Sequence, residues 1–209
     1  MRRLLTTIVL AAVMCVSTQA ATVTFDLFTP NNSSNFTSPV TFMSNPGTTV
    51  ENGVSFVSTV ELSALAGSNL FVDNNATTVV SAAGSSEINT GEGINFAIAP
   101  NTSEVGGTAV FVGFESITFD EFDPGDSGTV NGQVVTSNGA FNFTPGSLPT
   151  TIALLGTGDA PSGLGQDGFS VTQVTAVFTT TAASAVPEPS SLATLLLVGG
   201  CAVMRRRRK

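Results

Sequence analysis

The chain of 209 residues contains no histidine, tryptophan or tyrosine, and phenylalanine, at 15 positions, is its only aromatic. Its two cysteines, Cys15 and Cys201, lie in apolar stretches near the termini. All seven basic residues are terminal as well: Arg2 and Arg3 in front, Arg205 to Arg208 and Lys209 behind. The intervening body, Ala21 to Val186, therefore has no Lys, Arg, His or Cys. Each absence removes a class of chemistry. The body cannot assemble a Ser-His-Asp or Cys-His triad, a Schiff-base lysine, or a histidine-based zinc site. It has no disulfide to staple it, although a body of this length buries a core large enough to need none.

The missing bases leave charge uncompensated. Of 15 acidic residues only Glu188 lies outside the body, which therefore carries 14 carboxylates and a formal charge of −14. Affinity for nucleic acid is built from cationic contacts to phosphate. Such a surface repels nucleic acid and anionic lipid, and leaves cations and neutral sugars as possible partners. Uniform negative charge also keeps an exported protein soluble and separate.

What the body does contain is alternation. Apolar residues alternate with Thr, Ser or Asn over Thr22 to Phe28, Val54 to Val60, Ile94 to Ala99, Ala109 to Phe114, Ile117 to Phe122, Val130 to Val135, Ala140 to Phe143 and Phe169 to Phe178. A period of two predicts strands with one buried face. Between them stand Asn52-Gly53, Pro124-Gly125, Asn131-Gly132, Asn138-Gly139 and Pro145-Gly146, pairs that favour turns. Short strands with frequent turns predict an all-β fold, a single antiparallel β-sandwich or jelly roll over residues 21–178. Only Val60 to Ala66 offers a turn or two of helix. Phe25, Phe56, Phe96, Phe111, Phe119, Phe143 and Phe178 are expected to point into the core. Thr179 to Ala185, small and polar, reads as a linker.

The two ends have another character. Met1-Arg2-Arg3, the apolar run Leu4 to Val16 and the small-x-small Thr18-Gln19-Ala20 have the layout of a secretory signal peptide, a signal helix cleaved between Ala20 and Ala21 by signal peptidase. At the other end, Val186-Pro187-Glu188-Pro189-Ser190 precedes an apolar run, Leu192 to Met204, of about 13 residues, short of the roughly 20 of a comfortable helical span. The two prolines force an extended backbone that a protease can reach. The basic cluster Arg205, Arg206, Arg207, Arg208 and Lys209 would stay on the cytoplasmic side, leaving the body outside.

Motif, short apolar helix and basic tail, in that order, resemble the PEP-CTERM sorting domain over residues 186–209. The resemblance implies recognition of Pro187, Glu188 and Pro189 by an exosortase-type membrane protease, transient membrane insertion through the tail, and residence at the cell surface or in an extracellular matrix. It implies nothing about the activity of the body.

Within the body, Asp120-Glu121-Phe122-Asp123-Pro124-Gly125-Asp126 is the densest acidic stretch. Calcium takes several oxygen ligands from a flexible loop, and Asp120, Asp123 and Asp126 could supply three. The alternative is a solvated turn, where Asp is intrinsically favoured. The loop from Gly158-Asp159 to Gln166-Asp167-Gly168 invites the same comparison. Gly156-x-Gly158 lacks the third glycine and the lysine of a phosphate loop and reads as a turn. No cofactor is otherwise indicated.

The sequence thus leads to a non-enzymatic surface or matrix protein. The alternatives are a polysaccharide-binding module, for which Phe28, Phe36 or Phe71 would have to stand outside the core, and a carboxylate-dependent glycosidase with two acids across a cleft.

Overall fold

The computed structural model describes residues 17–28, 34–36, 39–45, 47–65, 69–72, 76–80, 87–158 and 168–183. The apolar run before Ser17, the sorting motif Pro187, Glu188 and Pro189, the apolar run after it, the basic cluster Arg205 to Lys209 and the acids of the loop 159–167 all lie outside the described residues. Among the described residues no helix is long and apolar enough to cross a membrane.

The described chain is all-β and its strands pair antiparallel, as the alternation predicts. One sheet joins β1 (Thr18–Asp26), β2 (Ser34–Phe36), β6 (Asn69–Val72), β7 (Thr77–Val80), β9 (Gly107–Asp120), β12 (Gly139–Asn142) and β14 (Ser170–Ala182). Its order is β12-β9-β14-β7-β6-β2, with β1 also paired to β14. The second sheet joins β3 (Val40–Met43), β4 (Thr49–Glu51), β5 (Val54–Ala64), β8 (Gly93–Val105), β10 (Ser127–Val130), β11 (Gln133–Val135) and β13 (Thr151–Gly158). Here the order is β11-β10-β13-β8-β5-β3, with β4 on β5.

Burial follows the pleat. In β5 the inward set Val54, Phe56, Ser58, Val60 and Leu62 is buried, while the intervening residues are half-buried or exposed. One apolar cluster takes residues from both sheets, and Phe56 of β5 lies 5.2 Å, centroid to centroid, from Phe178 of β14. Each fully buried Phe contributes about 1.5–3 kcal/mol, which is how a body without disulfides is held. Phe25, Phe56, Phe96, Phe119 and Phe178 are buried as expected, and Phe42, Phe114 and Phe169 join them. Phe111 and Phe143 do not: both are half-buried and pack against the rim of the cluster.

Several expectations fail, each for a physical reason. Ile117 to Phe122 is not a separate strand; β9 runs unbroken from Gly107 to Asp120, and two strand-like windows were one element. Val130 to Val135 is two strands, β10 and β11, because Asn131 and Gly132 take φ of 49° and 82°. Two successive positive φ values make the tight turn whose twist suits a hairpin. Val60 to Ala64 is strand rather than helix, paired to β8 from Val60↔Ile98 to Ala64↔Ile94. Gly156-x-Gly158 is no turn but the end of β13, where the Gly156 amide donates to the Glu92 carbonyl at 2.8 Å. A Cβ on Gly156 would stand 2.2 Å from the Asn89 carbonyl oxygen, so only glycine admits that contact.

The linker expected from Thr179 also moves. Thr179 to Ala182 belong to β14, where Thr179 to Thr181 pair with β1 on one side and Thr179 to Ala182 with β9 on the other. Thr180 is fully buried, and its hydroxyl donates to the Gln19 carbonyl at 3.1 Å. Small polar residues do pack when strands flank them on both sides. At the opposite end Ala20 and Ala21, the expected cleavage pair, both lie within β1, opposite Thr179 and Phe178.

Candidate functional site

A body without bases cannot pair its carboxylates with its own side-chain cations, and several of them accept from amides instead. Asp26 accepts from the side chains of Gln173, at 2.9 Å, and Asn45. Glu92 accepts from the backbone and side-chain nitrogens of Asn89 at 2.9 and 3.1 Å. Glu104 accepts from the Asn101 side chain at 2.8 Å and the Ala109 amide at 3.2 Å.

The acidic turn after β9 follows this pattern. Its frame is a Pro-Gly turn: the Asp126 amide donates to the Asp123 carbonyl at 3.0 Å, with Pro124 at the second position and Gly125 at the third, φ 116°. Asp126 is only 3% exposed, and its Oδ2 accepts the Asp123 amide at 2.8 Å. The Asp120 carboxylate, by contrast, is exposed and takes the amide of its neighbour Glu121 at 2.9 Å. Below the turn Phe122 stacks on Phe169, with centroids 4.3 Å apart and planes 5° from parallel. The Phe122 amide donates to Asn138 Oδ1 at 2.7 Å. Asp120, Asp123 and Asp126 are thus near in sequence but differently employed, and among the described residues no three acids converge to hold a metal ion. Asp126 acts as a cap of its own turn.

A second Pro-Gly turn has the opposite character. Between β12 and β13 the Ser147 amide donates to the Thr144 carbonyl at 3.1 Å across Pro145 and Gly146, the latter at φ 86°. Both flanks of this loop are tied to β9: the Phe143 amide donates to the Glu115 carbonyl at 2.9 Å, and the Phe114 amide to the Pro149 carbonyl at 2.8 Å. Leu148 settles over Gly113, where an added Cβ would stand 2.5 Å from the Leu148 Cβ. Facing the loop is the β10–β11 turn, fastened to β13 through Asn131, whose Oδ1 accepts the Ala153 amide at 2.8 Å.

Between these two walls is a concave site of about 310 Å³, lined chiefly by Asn131, Gln133, Phe143, Thr144, Ser147 and Pro149. Among the described residues none that lines it is charged. Gln133, Thr144 and Ser147 are exposed, and among the described residues their side chains make no hydrogen bond. The Phe143 ring is held edge-on by Phe141 at 5.3 Å. Sequence reasoning placed Phe143 in the core and looked to Phe28, Phe36 and Phe71 for exposed aromatics; all three of those are half-buried. Only the Pro-Gly pair and the hydroxyls beside it signalled this loop, and such residues are ordinary in turns.

Comparison with protein-family models, with curated proteins and with solved structures finds no match to this chain.

Proposed function

We propose that this chain is an exported, non-enzymatic component of the cell surface or extracellular matrix, sorted by exosortase-type processing at Pro187, Glu188 and Pro189. The observation that carries the reading is the three-part tail, motif then short apolar run then Arg205 to Lys209, on a chain that also opens with a signal peptide. The body suits that destination: it carries no cation to hold nucleic acid or anionic lipid, and no thiol to oxidise. We take its two sheets as the layers of a β-sandwich or jelly roll, on the strength of the core residues they share. Signal peptidase cleavage after Ala20 removes the exposed Thr18, Gln19 and Ala20, and with them the Gln19 carbonyl that Thr180 bonds, and keeps the buried Ala21, Val23 and Phe25.

The test is the mass and location of the protein in its host with and without the exosortase-type protease. A mature form outside the cell, beginning at Ala21 and ending near Pro187, with Arg205 to Lys209 retained in the membrane of the protease-deficient strain, is the expected result. An intact tail in both strains would withdraw the matrix role in favour of a plain tail anchor.

A second reading, a polysaccharide-binding module, is favoured by the uncharged concave site beside the β10–β11 turn. Among the described residues no carboxylate lines that site, so glycoside hydrolysis, which needs two positioned acids, draws no support from it.

A further inference from the structure

The hydrogen-bonding state of the concave site defines its ligand. Gln133, Thr144 and Ser147 stand together at this site facing solvent, and among the described residues their side chains make no hydrogen bond. An amide offers two donors and an acceptor, and each hydroxyl offers both roles. That mixture, without a charge, matches a neutral ligand dense in hydroxyl groups. A phosphate or uronate would find no cation there among the described residues and would meet the field of 14 carboxylates. The Phe143 ring, with Pro149 nearby, provides the apolar surface on which the C–H face of a sugar ring packs.

We infer that this site binds a neutral glycan, with Gln133, Thr144 and Ser147 as its hydrogen-bonding residues and Phe143 as its platform. The inference rests on the polysaccharide-binding reading and places it on named residues. A volume of about 310 Å³ is at the small end for ligand sites, so one or two sugar units are engaged at a time. The walls are pre-organised by the Phe143–Glu115, Phe114–Pro149 and Ala153–Asn131 bonds, which lowers the ordering cost of binding. Affinity per molecule is modest, and many copies along one polymer multiply it.

The test is affinity electrophoresis of the chain as purified from its host, through gels containing dextran, mannan or galactan, and through gels containing carboxymethyl-dextran. At least one neutral glycan is expected to retard the protein, and carboxymethyl-dextran is expected not to. The Gln133→Ala/Ser147→Ala double variant loses about tenfold in affinity, the consequence of two lost hydrogen bonds. Its unfolding midpoint stays unchanged, since neither side chain bonds within the described protein. Thr22→Ala, on the exposed face of β1, leaves retardation as it was.

Passage through all three neutral gels without retardation overturns the proposal and the module reading together. Retardation that the double variant retains leaves the module reading standing and overturns this placement, and equal retardation by carboxymethyl-dextran overturns the neutral-ligand assignment. The mass of the same sample reports the termini, so a failure of sorting is seen separately from a failure of binding.

Discussion

Two turns of the same backbone design, Asp123-Pro124-Gly125-Asp126 and Thr144-Pro145-Gly146-Ser147, end in opposite uses of their side chains. Both close with a bond from the fourth amide to the first carbonyl, 3.0 Å in one and 3.1 Å in the other. In the first, Asp126 folds inward to 3% exposure and caps an amide of its own turn. In the second, Ser147 and Thr144 point outward, and the bonds that hold the loop come from the backbone of β9 instead. In the stretch richest in chemically suggestive residues Asp126 is thus engaged within its own turn, while a plainer stretch is left with unspent polar groups. Density of charge along the chain does not report whether side chains are already engaged, nor whether free ones are gathered in one concavity.

The largest effect should come from breaking the first turn. Asp126→Ala removes a buried acceptor and strands the Asp123 amide, at a cost of about 1–3 kcal/mol in stability read by denaturant unfolding. Neutral-glycan retardation should survive it, because the concave site has its own supports. If Asp126→Ala is silent in stability, its capping role is wrong.

Gly113→Ala acts on the other turn. The new Cβ would stand 2.5 Å from Leu148 and 2.9 Å from its carbonyl oxygen, so the loop 143–149 must shift. Overpacking of this kind costs about 1–3 kcal/mol, and here it should also abolish glycan retardation. A variant that loses stability but keeps retardation would show that the loop is not a wall of the site.

Salt gives a smaller effect with a diagnostic sign. A base-free body has repulsions to screen and no ion pairs to lose, so stability of the processed form should rise by on the order of 1 kcal/mol from low salt to half-molar salt. A fall would mean that screened attractions dominate. The smallest effect is expected from calcium. With the Asp126 carboxylate already capping an amide, millimolar calcium should shift the unfolding midpoint no more than sodium chloride of equal ionic strength. A larger rise would return Asp120, Asp123 and Asp126 to the role of ligands and erase the contrast between the turns.

Much of the architecture was readable in advance where a local rule applied. Alternation located β1, β5, β8 and β14, and Asn52-Gly53 marked the turn between β4 and β5, with φ of 52° and 74°. The rule failed where its signal was ambiguous. Strand β13 was missed because Ala153 and Leu155, on its outward face, are apolar and blur the alternation. The candidate site was less readable still. Phe143 looked like any inward-facing aromatic, and only its place at the sheet rim, half-buried beside Phe141, makes it a platform.

By itself the sequence determined the fold class, through its period of two, and the chemistry the body can never perform, through the residues it omits. Both are properties of composition and local pattern, which need no knowledge of which strand lies beside which. Tertiary structure alone decided that Thr179 to Ala182 are strand, that Asp126 caps a turn, and that Gln133, Thr144 and Ser147 converge unspent. Each of those depends on partners distant along the chain, and only the packed sheets bring such partners within hydrogen-bonding reach.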